Sequence, residues 1–256
     1  MDNTVRLLKS EGISGAQDLI FLTRYAALCS DKTLTASVGE SLKQLIMPRN
    51  AWLSYALAEY YESTGEEFAK TACEYLLASE ENAMARNKAA RVFENEDYLI
   101  EDTNDPLALI ELYKATYDED ALNKAIDMAA YIRDNFEKFF NPEDVYDFKE
   151  PSSNSCIAVL FDEIARITQE RAWIAARERQ NHFVKLLSEK YPTRVSFGLC
   201  ALLADNFESK TFVIEGEVPR SLFSFYSPLT ELVVKGGTGK TRVFLSEEGV
   251  LSEIDF

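Results

Sequence analysis

Residue types recur through the middle of this chain at an interval of 52 positions. The repeat consists of a glutamate and, five residues later, a threonine: Glu59, Glu111, Glu163 and Thr64, Thr116, Thr168. A period near 50 residues is typical of stacked αα-hairpins, in which two helices joined by a short turn form each unit. A single hairpin cannot bury its apolar face, so neighbouring hairpins must stack. We expect the threonine at the turn to have a structural role, as a cap of the second helix, and the glutamate to have a packing or helix-surface role.

Apolar residues at helical spacing predict the helices of these units. Helix pairs are predicted over 50–79, 105–138 and 154–188, preceded by helices over 14–29 and 39–46 with a polar, turn-like segment at 30–40. Pro106 is placed in the first turn of its helix, where its missing N–H costs nothing. The fold class is therefore mainly α, an array of antiparallel helical hairpins.

The character of the chain changes near residue 208. Runs of β-branched and aromatic residues at 211–214, 231–234 and 242–245 predict strands, and the glycines between the last two predict a hairpin with its turn near 236–239. We expect a helical-hairpin domain over 1–208 and a β-rich C-terminal tail over 209–256, packed on it.

The charge balance excludes several classes of partner. The chain has 27 Lys and Arg against 43 Asp and Glu, a formal net charge of −16. Such a surface repels phosphate backbones and anionic lipid, so we expect no nucleic acid and no membrane partner. No signal-peptide pattern and no run of about 18 apolar residues occurs, so a cytoplasmic location is predicted.

Residues 235–241, Lys-Gly-Gly-Thr-Gly-Lys-Thr, resemble a phosphate-binding loop. Phosphate binding requires a strand before the loop and a helix after it, so that helix N-terminal amides face the phosphates. A strand-like run comes after the loop instead, and the simpler interpretation is a glycine turn between strands. Nucleotide binding here is kept as a remote alternative.

Other catalytic and metal signatures are weak. The single histidine, His182, lies on a charged helix and is interpreted as a surface imidazole, and no cysteine pair has zinc-ligand spacing. We expect no metal and no cofactor. Because carboxylates are abundant, an acid–base pair of the glycosidase kind stays open.

Several segments, taken in order, resemble the C-terminal half of the YyaL-like, spermatogenesis-associated thioredoxin-domain family. They are Ser30–Thr35, Asn50–Leu57, Glu96–Ile100, Leu109–Thr116, Pro151–Ser155 and Thr211–Gly216. The helical part of that family is similar to N-acylglucosamine 2-epimerases and six-hairpin glycosidases. The resemblance implies a partial α/α toroid whose loops at one end surround a pocket. The family's thioredoxin domain, paired cysteines and first hairpins have no counterpart here.

The resemblance also implies site residues at those loops. Candidate catalytic groups are Asp97, Glu96 and Asp31, and candidate ligand-binding residues are Lys32, Asn50, Trp52, Tyr98, Ser153, Asn154 and Ser155. For each segment the alternative is ordinary helix-capping chemistry, because Asp, Ser and Asn side chains satisfy helix N-termini.

Two functions compete on these observations. The first is a non-catalytic or degenerate toroid relative that binds a protein or a small molecule, with a homodimer or a second chain completing the ring, since an incomplete ring leaves an apolar edge. The second is a carbohydrate-active isomerase or hydrolase that uses carboxylates in the pocket, with a carbohydrate-like small molecule as its ligand.

Overall fold

The computed structural model describes residues 8, 13, 15–45, 51–90, 101–136, 145–148, 150–207, 210–216, 230–235, 241–247 and 250–254. Within these residues the protein is mainly helical and carries a small four-stranded sheet at its C-terminal end. The predicted fold class is confirmed at this level.

The helices come in pairs separated by short turns. Their bounds are α1 (Ala16–Cys29), α2 (Lys32–Leu45), α3 (Ala51–Thr64), α4 (Glu67–Ala90), α5 (Glu101–Thr116), α6 (Glu119–Asp134), α7 (Ser153–Thr168), α8 (Arg171–Lys190) and α9 (Leu199–Asn206), with a 3₁₀ turn at Pro192–Arg194.

Helices α1 to α8 form four hairpins: α1/α2, α3/α4, α5/α6 and α7/α8. Each hairpin packs internally, and the first helices of successive hairpins pack on one another, α1 on α3, α3 on α5 and α5 on α7. The first helices therefore lie in an inner row. Three of these helices are largely buried, α3 from Trp52 to Tyr60, α5 from Leu107 to Tyr113 and α7 over most of its length, whereas α1 buries one face. This burial explains the apolar spacing of the repeat.

The turns of the four hairpins share one backbone conformation. A residue with positive φ ends each first helix: Ser30 (52°), Gly65 (71°), Tyr117 (56°) and Gln169 (56°). One residue then intervenes before the second helix starts. The α1/α2 pair is thus a fourth copy of the unit, which the glutamate and threonine repeat does not reveal.

The recurrent threonine has a structural role, as predicted, but it acts at the end of the first helix and does not cap the second. Thr64 Oγ1 donates a hydrogen bond to the carbonyl of Tyr60 at 2.6 Å and accepts one from the amide of Glu66 at 3.2 Å. Thr116 and Thr168 repeat both contacts in their own hairpins. The threonine therefore closes the end of the first helix and joins it to the turn.

Helix α2 is longer than predicted, because residues 32–40 are helical and not turn-like. Asp31 Oδ1 accepts hydrogen bonds from the amides of Thr33 and Leu34 at 3.1 and 3.0 Å, which caps the helix. The ring of Tyr60 packs against Gly39 and leaves no room for a Cβ, so this position in the helix requires glycine. The Tyr60 hydroxyl donates to the carbonyl of Thr35 at 3.2 Å.

Pro106 does not lie in the first turn of its helix. Helix α5 begins at Glu101, so the proline lies inside it. The predicted start at Asn104 or Asp105 is therefore wrong by about one turn.

The sheet has the strand order β2-β1-β3-β4. Its strands are β1 (Lys210–Glu215), β2 (Thr230–Lys235), β3 (Arg242–Glu247) and β4 (Val250–Ile254). β1 pairs parallel with β2 and antiparallel with β3, and β4 pairs antiparallel with β3. The predicted hairpin between β2 and β3 is wrong, since β1 lies between these two strands.

The sheet contacts the fourth hairpin. Thr211 Oγ1 donates to the carbonyl of Arg166 at 3.1 Å and accepts from Gln169 Nε2 at 3.4 Å, while Val233 packs against the helical core. In the described part of the chain, no helix combines the length and apolarity needed to cross a bilayer.

Candidate functional site

The hairpin turns define equivalent positions along the inner helices. Six residues before each positive-φ residue lie Arg24, Glu59, Glu111 and Glu163, here called the first row. Three residues before it lie Ala27, Glu62, Lys114 and Arg166, here called the second row. Because α1, α3, α5 and α7 lie side by side, each row crosses the inner helices one after another.

In the third and fourth hairpins the second row supplies the cations that the first row needs. Lys114 Nζ lies 3.2 Å from Glu111 Oε1 and 2.7 Å from Glu163 Oε2. Arg166 lies 2.9 Å from Glu163 and 3.0 Å from Asp162. Glu111 is buried and the Glu163 side chain is 12% exposed, and these bases neutralise both, which supports a packing role for the recurrent glutamate.

In the second hairpin this pattern is reversed. The second-row residue there is Glu62, an acid where the next two hairpins have bases. Single carboxylate oxygens of Glu59, Glu62 and Glu111 lie within 4.8 Å of one another. Within the described residues, Glu62 makes no hydrogen bond and no ion pair.

Arg24 of α1 supplies a cation to the second hairpin from the first row instead. Its Nε donates to Glu59 Oε1 at 3.0 Å, and its terminal nitrogen bonds both this oxygen and the Tyr55 hydroxyl, the latter at 2.9 Å. Burial opposes the charge of Arg24, but Glu59 and Tyr55 outweigh it, so the pKa of Arg24 is raised. Glu59 is thereby neutralised and Glu62 is not.

The crowding of the carboxylates raises their affinity for protons. Burial, followed by the charges of Glu59 and Glu111, raises the pKa of Glu62 to about 8. Burial raises the pKa of Glu111 to about 7, although Lys114 opposes the shift. One of these carboxyls therefore holds a proton close to neutral pH.

Glu62 faces a cleft of about 690 Å³ between the first two hairpins. The residues that give the cleft its chemistry are Arg24, Lys32, Thr35, Glu59, Tyr60 and Glu62. This volume is within the range of about 300–1,000 Å³ that is usual for small-molecule sites. The lining offers carboxylates, cations and hydroxyls together.

The three clustered carboxylates could also hold a hard divalent cation, which the sequence does not predict. Carboxylate oxygens are the ligands that Ca²⁺ and Mg²⁺ prefer. However, Arg24 bonds one of the oxygens of Glu59 and Lys114 contacts Glu111, so a doubly charged ion would meet two fixed cations. A singly charged group fits the local charge better.

Two of the predicted site residues lie at this cleft. Lys32 lines it, and Asp31 lies between the lining residues Ser30 and Lys32. The Asp31 side chain, however, caps α2, and its Oδ1 is engaged by two amides. Of these two residues, only Lys32 keeps its side chain available to a ligand.

Other predicted residues are buried in the packing of the helices. Trp52 is 3% exposed and its ring packs on those of Tyr55 and Phe197. Ser153, Asn154 and Ser155 form the first turn of α7, each at most 2% exposed. Their predicted ligand-binding role is not supported at this cleft, because none of the four lines it.

The remaining predicted residues, Glu96, Asp97, Tyr98 and Asn50, lie outside the described residues. His182 is exposed, as predicted. All four cysteines are free; Cys73 and Cys156 are buried, whereas Cys29 and Cys200 are exposed. Of the segment 235–241, the glycine run lies outside the described residues, and the next element after it is strand β3 and not a helix.

Sequence reasoning did not identify Arg24, Glu62 or Lys114. The signal that could have found Glu62 and Lys114 is the 52-residue interval itself, which aligns Glu62 with Lys114 and Arg166 and reveals the change of charge.

No protein-family model matches this chain, and a search of curated proteins finds no significant match.

Proposed function

We propose that this protein is a non-catalytic small-molecule-binding protein whose cleft takes a ligand with a positively charged nitrogen. The observation that carries the proposal is Glu62, a carboxylate with no hydrogen-bond or ion-pair partner among the described residues, at a position where the next two hairpins have a base.

The alternation of acidic and basic side chains across the inner helices supports a cationic ligand. From α5 onwards acids and bases alternate through Glu111, Lys114, Glu163 and Arg166, so both first-row glutamates of these hairpins contact a cation. In the second hairpin Arg24 contacts Glu59, but the second-row position holds Glu62, a carboxyl group where the next two hairpins have a base. An ammonium or guanidinium group bound beside Glu62 restores the alternation, and a charge-assisted hydrogen bond to a carboxylate is about twice as strong as a neutral one.

The rest of the cleft suits the remainder of such a ligand. Thr35 and Tyr60 bring hydroxyl groups, and Lys32 brings a cation at the exposed edge. A ligand with a cationic end and a polar or anionic end, the composition of many amino compounds, matches both parts of the lining.

A matched set of small probes tests the proposal. Butylammonium and butylguanidinium carry the required charge, and 1-butanol has the same chain without it. Calorimetric titration at pH 8 measures binding to the wild type, to Glu62→Gln and to Glu178→Gln. Glu178 is an exposed glutamate on α8, so its variant makes the same change of charge away from the cleft.

Both cationic probes should bind the wild type and Glu178→Gln, and 1-butanol should not. Glu62→Gln should weaken binding by about 10- to 100-fold, the loss expected for a charged hydrogen bond of about 1.5–3 kcal/mol. Equal binding of 1-butanol, or binding that Glu62→Gln leaves intact, would contradict the proposal.

A carbohydrate-active enzyme is the second candidate, favoured by the pairing of Glu62 with Glu59. Glu62 has the raised pKa of a general acid, and Glu59 lies in an ion pair with Arg24. The separation of at most 4.8 Å between their oxygens is near the carboxyl spacing of about 5–5.5 Å in retaining glycosidases. Turnover of a sugar or aryl glycoside that Glu62→Gln abolishes would favour this candidate.

We also propose that the chain is related to the YyaL-like family and that it assembles with a second chain. Four stacked hairpins fit part of an α/α toroid of the YyaL-like kind, and a second copy or another chain would complete the ring. Light scattering of the purified protein distinguishes the monomer from the dimer, and small-angle scattering distinguishes a closed ring from an open row.

A further inference from the structure

The clustered carboxylates of Glu59, Glu62 and Glu111 outnumber the cations that contact them. Glu59, Glu62 and Glu111 approach one another within 4.8 Å, whereas Arg24 and Lys114 are the described bases nearest to them, and Lys114 also serves Glu163. Like charges at such separations, away from bulk water, cannot all ionise without cost.

Charged and titratable groups face Glu62 from each neighbouring element. They are Arg24 of α1, Lys32 of α2, Glu59, Tyr60 and Glu66 of α3 and its turn, and Glu111 and Lys114 of α5, with Tyr55 of α3 and Glu163 of α7 acting on Glu111. Three of these groups are acids within the buried rows, and the cations beside them are already engaged by Glu59, Glu111 and Glu163.

We propose that the cleft exchanges one proton for its cationic ligand. In the free protein a proton shared by Glu62 and Glu111 neutralises the surplus carboxylate. On binding, the nitrogen of the ligand takes that place, and the proton passes to the solvent. This inference rests on the proposed function and adds its regulation, because the cleft then binds its ligand more tightly as the pH rises.

The direction of the proton equilibria agrees with the exchange. The pKa of Glu62 is raised to about 8 and that of Glu111 to about 7, with burial as the largest cause in both cases. A cation that binds beside Glu62 below pH 8 must therefore displace a proton.

Binding of butylammonium as a function of pH tests the exchange. Calorimetric titrations of the full chain at pH 6, 7 and 8, each in two buffers of different ionisation enthalpy, give both the affinity and the number of protons released. Glu178→Gln is the control, because it changes the net charge by the same amount and leaves the cleft unchanged. Butylammonium stays fully charged over this range, so any change belongs to the protein.

For one displaced proton with the pKa of about 8 found for Glu62, the exchange predicts that affinity rises by about fiftyfold from pH 6 to pH 8 and that close to one proton is released at pH 6, in the wild type and in Glu178→Gln alike. Affinity that is constant over this range, with no proton released, would overturn the exchange and leave the proposed function standing. No binding at any pH would overturn both.

Discussion

Glu62 and Lys114 occupy the same position in successive hairpins, three residues before the turn, and carry opposite charges. Lys114 bridges Glu111 and Glu163, whereas Glu62 adds a third carboxylate beside Glu59 and Glu111. The protein thus departs from its own stabilising pattern at a hairpin position that faces the cleft. Departures of this kind usually accompany function, since a site often needs groups that stability alone would exclude.

Removing Arg24 should destabilise the inner row. The substitution Arg24→Met leaves the carboxylate of Glu59, 4% exposed, without its cation. Loss of one partner of a buried ion pair costs about 3–5 kcal/mol, and we expect about 2–4 kcal/mol because the Arg24 side chain is 34% exposed. Urea denaturation measures the loss.

The double variant Arg24→Met/Glu59→Gln provides the control, because it removes the unpaired charge. It should recover about 1–2 kcal/mol relative to Arg24→Met alone. If the changes in the free energy of unfolding are additive, the ion pair between Arg24 and Glu59 does not stabilise the fold.

The stability of the protein should fall as the pH rises through neutrality. In the unfolded chain a glutamate titrates near 4.5, whereas the pKa in the folded protein is about 8 for Glu62 and about 7 for Glu111. The folded state therefore binds more protons between these limits. The stabilisation is complete below pH about 4.5 and is lost progressively up to about pH 8.

Urea denaturation from pH 6 to pH 9 measures this dependence. Glu62→Gln should flatten the curve, and Glu178→Gln should leave its slope unchanged. If the stability of the wild type rose between pH 6 and pH 8, the pKa values of Glu62 and Glu111 would not be raised in the folded protein.

The hairpin array could be predicted from sequence because its determinants are local. The period of Glu59, Glu111 and Glu163 reports equivalent positions, and Thr64 with its two partners reports the turn. Helical spacing of apolar residues locates the paired helices, since α3, α5 and α7 bury most of their surface and α1 buries one face.

The site could not be predicted because its signal is a difference within the repeat. A search for recurring residue types finds Glu59 and Glu111, and passes over Glu62, which aligns with a lysine and an arginine. The predicted helix α2 is too short for a related reason. The polar run over 30–40 resembles a turn in sequence, whereas in the structure Asp31 caps a helix there and Tyr60 packs against Gly39. The order of the strands depends on pairing between distant segments, which glycines near 236–239 do not encode.

The positive φ shared by the turns favours glycine, so removing glycine at one turn and introducing it at another should have opposite effects on stability. Gly65 has φ of 71° and Ser30 has φ of 52°, a region where a residue with a Cβ is strained by about 1–2 kcal/mol. Gly65→Ala should cost about 1 kcal/mol, and Ser30→Gly should gain about 0.5 kcal/mol after the entropy of the unfolded chain is included.

Thermal denaturation of both variants measures these changes, with Ala27→Gly in helix α1 as the control. Glycine within a helix costs about 1 kcal/mol, so Ala27→Gly should lower the melting temperature while Ser30→Gly raises it. If both substitutions lower it equally, the strain at Ser30 does not limit stability.

Glu62→Lys tests the central claim most directly, because it installs a base at the position where the third and fourth hairpins have one. The introduced ammonium group would lie between Glu59 and Glu111 and complete the alternation of charges along the inner row. We predict that this substitution raises the melting temperature at pH 8 by about 2–4 °C, equivalent to about 1 kcal/mol, and abolishes binding of butylammonium, whereas Glu178→Lys does neither. A lower melting temperature for Glu62→Lys, with binding of butylammonium retained, would contradict the account.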